Sequence, residues 1–305
     1  MKIALINNKG GVGKTTTAVN LAAAYASEEH RVLLLDLDSQ GAAGLSLGVP
    51  RQQFRPSMVD VMMDGKPLSA VIRKTEVPGL DLVTGGSELA DFDVTLAVIE
   101  HREQRLKRAL AEIEADYTHI IIDCPPSFSL LSINALLAAE HYIVPVVPNV
   151  LTISGLASLI EEINRLCDRI PDDVADFMGV VLTMVDYRNG TCSRTVEAMR
   201  SQWHDLVFKS EIRINVKLAE APAEGRNIFD YAPKSTGAAC YKQLAAEVLK
   251  RWKREEAQMQ AETEAEPQQE PPPAAEAPPE TAEGAPEVPA PQAVEATPAS
   301  EQPQA

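Results

Sequence analysis

Short aliphatic runs alternate along this chain with longer stretches in which apolar positions recur every three or four residues. Residues 2–7, 31–37, 80–83, 119–123, 142–147 and 177–183 are rich in Ile, Val and Leu and are bounded by turn or charged residues. Continuous hydrophobicity over so few positions is the mark of strands buried on both faces. Between them, helical spacing predicts helices over residues 15–27, 91–115, 129–139, 154–169 and 192–203. A last helix, about residues 237–259, carries Tyr241, Leu244, Ala245, Val248, Leu249 and Trp252 on one stripe. Strand and helix in strict alternation imply an α/β, doubly wound, mostly parallel sheet with helices on both faces.

Composition divides the chain. The 305 residues carry 28 Lys plus Arg against 44 Asp plus Glu, a net charge of −16. Residues 257–305 hold ten Glu, eleven of the 22 prolines, and no Lys, Arg or aromatic residue. Such a segment buries too little apolar surface to offset its ordering entropy, so it reads as a disordered acidic Pro/Ala/Glu-rich tail. It serves either as a solubilising extension, as a docking arm, or as a brake that covers the chain's own basic side chains. Residues 1–256, the folded domain on this reading, keep a net −6. The four cysteines are far apart in sequence and form no CxxC pair, which fits reduced thiols in a cytoplasmic protein. No run approaches the roughly 18 apolar residues of a membrane span, and no secretory signal opens the chain.

The strongest chemical signal is the loop Asn8-Lys9-Gly10-Gly11-Val12-Gly13-Lys14-Thr15-Thr16, between the first strand and the first helix. Glycines let backbone N–H groups wrap a phosphate, and the helix N-terminus adds its positive dipole end. Lys14 is placed for the β and γ oxygens and the Thr15 hydroxyl for Mg²⁺. Two further carboxylates close strands at the edge where a parallel sheet collects ligands. Asp38 follows Leu33-Leu34-Leu35-Asp36-Leu37, and Asp123 ends Ile120-Ile121-Ile122 ahead of Cys124-Pro125-Pro126-Ser127.

With Asn at position 8 and a second lysine at position 9, residues 9–15 resemble the deviant Walker A box of the ParA/MinD family of P-loop ATPases. The resemblance runs over residues 1–256 and, through the motifs at 216–225 and 231–238, favours the ParA/Soj branch. It implies ATP and Mg²⁺ as cofactors, with Lys9, Gly10, Gly11, Val12, Gly13, Lys14, Thr15 and Thr16 around the nucleotide. It further implies that Lys9 reaches across a homodimer formed in the ATP state. Asp38 would position the attacking water, and Asp123 would hold Mg²⁺ through a water, next to a switch at Pro125-Pro126. Met184 and Pro222 are the apolar side chains placed to wall the adenine. This chain departs from the family pattern at Ser39, at Pro148-Asn149 and at Arg213-Ile214-Asn215.

The overall negative charge no longer argues against nucleic acid once it is divided. Residues 1–184 hold 15 bases and 24 acids, whereas residues 185–256 hold 13 bases and 10 acids. Arg188, Arg194, Lys209, Arg213, Lys217, Arg226 and Lys234 are candidates for a positive face that meets DNA phosphates non-specifically. A nucleoid-associated ATPase released by a ParB-like or cargo-adaptor activator is the reading that follows, with no membrane partner expected. Two alternatives share the scaffold: a MinD-like membrane-surface ATPase, and a metabolic or iron–sulfur carrier ATPase.

Overall fold

The structure, a computed structural model, describes residues 1–170 and 174–265. Eight strands form one sheet: β1 (Lys2–Leu5), β2 (Val32–Asp36), β3 (Arg73–Lys74), β4 (Leu80–Val83), β5 (His119–Asp123), β6 (His141–Val146), β7 (Asp176–Val185) and β8 (Val207–Arg213). Their order is β3-β4-β2-β5-β1-β6-β7-β8. Every pairing is parallel except that of the two-residue edge strand β3 with β4. This is the doubly wound sheet implied by the alternation of runs.

The helices in chain order are α1 (Lys14–Tyr25), α2 (Ala42–Ser46), α3 (Met58–Met62), α4 (Phe92–Thr95), α5 (Arg105–Ala111), α6 (Leu130–Ala138), α7 (Thr152–Cys167), α8 (Gly190–Trp203), α9 (Val216–Glu220), α10 (Ile228–Tyr231) and α11 (Thr236–Ala265). Alternate side chains of each central strand enter two separate cores. Ile3 and Leu5 of β1 pack with Leu21 of α1 and Tyr241 and Leu244 of α11. Ala4 of β1 and the adjoining Ile6 pack instead with Phe92, Leu106, Leu136 and Leu159 from the helices of the opposite face. The central strands are therefore hydrophobic on both faces because each face has a core to enter.

Three expectations change. The helix expected over residues 91–115 is broken into α4, α5 and short 3₁₀ turns. Phe92 and Leu96 are buried, but Val94, Val98 and Ile99 face outward, and His101 takes a left-handed φ of 55° that turns the chain. Strand β8 was not expected, since Lys209, Ser210 and Glu211 interrupt its apolar run. It forms at the sheet edge because Glu247 of α11 accepts the backbone N–H groups of Lys209 and Ser210, both at 2.8 Å. Last, α11 runs on to Ala265, into the segment whose composition reads as tail. Residues 266–305, the rest of the expected disordered tail, lie outside the described residues.

Candidate nucleotide-binding site

β1 lies at the middle of the sheet, with β5 on one side and β6 on the other, so the chain reverses its winding direction there. The loop after β1 thus opens at the topological switch point, where open α/β sheets bind ligands. Gly11 and Gly13 adopt φ values of 71° and 84°, which only glycine takes without strain. Gly13 is the N-cap of α1, and no side chain caps that helix or places an acid in its first turn. Its free N–H groups and dipole end are left for an anion.

Lys14 is only 6% exposed, and its Nζ donates to the Lys9 carbonyl at 3.0 Å, turning the ammonium into the loop. Burial lowers its pKa, while the Asp123 charge acts in the opposite direction. Lys9 is exposed. Its Nζ donates to the Leu151 carbonyl at 3.1 Å and rests over Gly155 at the start of α7, so it folds back on its own chain.

Asp36 and Asp123 are paired in register at the ends of β2 and β5, and both are fully buried. Asp36 accepts the backbone N–H of Asp38 at 2.9 Å and that of Ala43 at 3.0 Å, which fixes the turn presenting Asp38. Burial, opposed by those N–H groups, pushes its carboxyl up to about 7. Neither carboxylate oxygen of Asp123 has a hydrogen-bond partner. Burial and then the Asp36 charge raise its pKa well above the carboxylate range, with Thr15 and Lys14 acting in the opposite direction. An orphaned buried carboxylate of this kind fits a divalent cation held through water, with the Thr15 hydroxyl as the second protein group. Among the described residues no cluster of three or more His, Cys, Asp or Glu would hold a metal unaided. That agrees with Mg²⁺, which takes few protein ligands and the rest from phosphates and water.

Beside Gly13 opens a cavity of about 330 Å³, lined by Thr16, Met184, Ile212, Ile214, Leu218 and Tyr241 among others. Met184 sits in its wall with a left-handed φ of 51°. Pro222 lies in a one-turn 3₁₀ helix and does not line the cavity. Three residues to which the sequence reading gave no role of their own in the site help to build it. Thr183 donates to the Val12 carbonyl at 2.8 Å and lies 3.1 Å from that of Val146, tying the glycine loop to β6 and β7. Asn7 donates to the Pro145 carbonyl at 2.8 Å, and Tyr241 meets the Thr17 hydroxyl at 3.2 Å. Their only sequence signal was position, at strand ends or on the buried helix stripe.

A family profile described as an AAA domain matches residues 1–175. The chain is 40% identical over 246 residues to the sporulation initiation inhibitor protein Soj of Bacillus subtilis, covering 81% of this chain and 97% of Soj. It is 39% identical over 251 residues to the chromosome partitioning protein ParA of Caulobacter vibrioides, covering 82% and 94%. The chain belongs to the ParA/Soj family of ATPases. Among solved structures, cobyrinic acid a,c-diamide synthase of Mycobacterium smegmatis, with bound ATP analog and magnesium, superposes with a TM-score of 0.71 at 31% identity. That match covers 83% of this chain and 95% of the synthase.

In this ParA/Soj ATPase two of the seven basic residues proposed for DNA are paired with neighbouring acids. Arg188 is paired with Asp186 at 2.8 Å and Lys217 with Glu220 at 2.8 Å. Arg213 lies over the Tyr187 ring, 5.6 Å from its centre, at the mouth of the 330 Å³ cavity. Arg194 on α8 and Lys209 on β8 are exposed, Arg226 donates to the Asp230 carbonyl at 2.8 Å, and Lys234 is exposed before α11. No helix of the described residues is long and apolar enough to cross a membrane.

Proposed function

We propose that this ParA/Soj ATPase is a partitioning or positioning machine whose ATP-bound form dimerises and binds DNA non-specifically. A ParB-like or cargo-adaptor activator would speed hydrolysis and so release it. The observation that carries this reading is the arrangement around the glycine loop: buried Lys14, a second lysine at the rim, and the unpartnered Asp123 below. ATP and Mg²⁺ are its cofactors. Thr15 and Asp123 would hold Mg²⁺, which when bound neutralises phosphate charge.

The chain's own groups divide the remaining work. The N–H groups of the glycine loop and the start of α1 bind the β and γ oxygens, joined by Lys14. Asp38, on the turn fixed by Asp36, orients the attacking water. Met184 and the aliphatic wall at Ile212, Ile214 and Leu218 hold the base away from water. Lys9 exchanges the Leu151 carbonyl for the nucleotide of a second subunit. The exposed bases on and around α8 and β8, doubled in a dimer, give phosphate contacts, and the protein works in the cytoplasm on the nucleoid.

Sedimentation velocity with ATP tests the cycle. Lys9→Ala and Lys14→Gln are expected to remain monomeric where the native chain dimerises. Unchanged dimerisation in both variants would falsify the mechanism.

A further inference from the structure

On α4 and the turns that follow it the chain presents an aliphatic ridge to solvent: Val94 is 81% exposed, Val98 90% and Ile99 41%. Phe92 and Leu96, on the other side of the same turns, are buried in the core beneath. The ridge stands among acids. Asp91, Asp93 and Glu100 are exposed around it. Arg102, the first Lys or Arg after the ridge in sequence, directs its guanidinium to the backbone carbonyls of Leu96 and Ala97. From these observations we infer that the ridge is a docking site for a segment of another protein in which Lys or Arg alternates with aliphatic residues.

Charge decides among occupants. A second copy placed ridge to ridge would face acid with acid, and a like-charge contact opposes association. An anionic lipid surface or a nucleic acid is repelled for the same reason. A basic apolar segment gains on both counts, burying three aliphatic side chains while pairing its cations with the acidic rim.

The ridge is also fastened to the element that follows the Asp123 strand. The Asp93 carboxylate accepts the Leu130 N–H at 3.3 Å, at the first residue of α6. Asn134 of α6 donates to the Arg102 carbonyl at 2.9 Å and accepts the Leu106 N–H at 3.1 Å. Ser132 of α6 donates to the Ser127 carbonyl at 2.6 Å, next to Pro125-Pro126. Docking on the ridge therefore pulls on α6 and through it on the turn below the nucleotide. This effect on turnover rests on the ATPase cycle proposed above, whereas the binding itself does not.

Fluorescence anisotropy with the full chain tests the inference, using a labelled 16-residue Lys/Leu peptide with a helical pattern. A Lys/Ser peptide of equal charge and a Glu/Leu peptide serve as controls. The Lys/Leu peptide is expected to bind, and Val94→Ser/Val98→Ser to weaken it by roughly tenfold or more. Asp91→Asn/Glu100→Gln should weaken it and flatten its salt dependence. All four positions are exposed, so both variants should fold. Equal affinity for the native chain and the valine variant overturns the inference, as does equal binding of the Lys/Ser peptide. It is also overturned if the valine variant loses self-association with no peptide present, because the ridge is then a contact between copies. A native chain that binds the peptide yet forms no ATP-dependent dimer supports the ridge and defeats only the cycle.

Discussion

Two carboxyls side by side and out of water set the chemistry of the site. Asp36 has two backbone N–H groups to satisfy it, while Asp123 has no hydrogen-bond partner. Both hold their protons to higher pH than free carboxyls do, Asp36 to about 7. An acid whose folded pKa stands above its unfolded value of roughly 4 favours the folded state fully only below that lower value. The contribution is lost as pH rises through the folded pKa. These two carboxyls therefore lower the melting temperature of nucleotide-free protein between about pH 4 and pH 7. Half-buried His119, whose pKa is lowered to about 4, contributes in the opposite direction, so calorimetry should compare the native chain with Asp123→Asn across that window. Asp123→Asn should flatten that fall and raise the melting temperature by a few degrees at neutral pH, while Mg²⁺-dependent turnover is lost. A variant no more stable than the native chain would mean that the buried charge is compensated by water.

At the scale of elements, the glycine loop is held by its neighbours rather than by itself. Thr183 is its main tether, through the Val12 carbonyl. Thr183→Val keeps the shape but leaves the Val12 carbonyl short of its donor, at a cost of about 1–3 kcal/mol. Urea unfolding should register that loss, and the KM for ATP should rise several-fold because the loop is less preorganised. The central strands and long helices were legible because burial on both faces, or on one stripe, writes itself into periodicity. Residues 80–83 and 119–123 match their strands to the residue. Periodicity could not show β8, whose polar middle is held by Glu247, a residue 36 positions beyond Glu211 in the chain. Nor could it show the break after Leu96, because Val98 and Ile99 look like core residues and are left outside. The glycine loop, Asp38 and Asp123, the residues proposed for the site, stand in local motifs that the sequence shows directly. Thr183 and Tyr241 do not, since their roles exist only once distant segments meet.

For the whole molecule the division of charge matters more than its sum. Arg188 and Lys217 are exposed but each pairs with an acid on the same surface, so each adds little local net charge toward a DNA face. DNA titrations at several salt concentrations, with ATP, should resolve this. Arg213→Ala is expected to lower the slope of log K against log salt by about one unit per subunit contact, and Arg188→Ala by much less. Equal slopes for the two variants would mean that Arg188 leaves Asp186 to meet phosphate.

The unpartnered Asp123 has a consequence beyond the reaction. A fold that keeps a buried carboxyl without a hydrogen-bond partner under its ligand loop is least secure when that loop is empty, and ligand binding adds stability in proportion to the logarithm of its concentration over Kd. The chains that cellular proteases open first are then those without nucleotide. Persistence of the protein is thereby coupled to the energy supply of the cell, and starvation would thin its population before any change in synthesis.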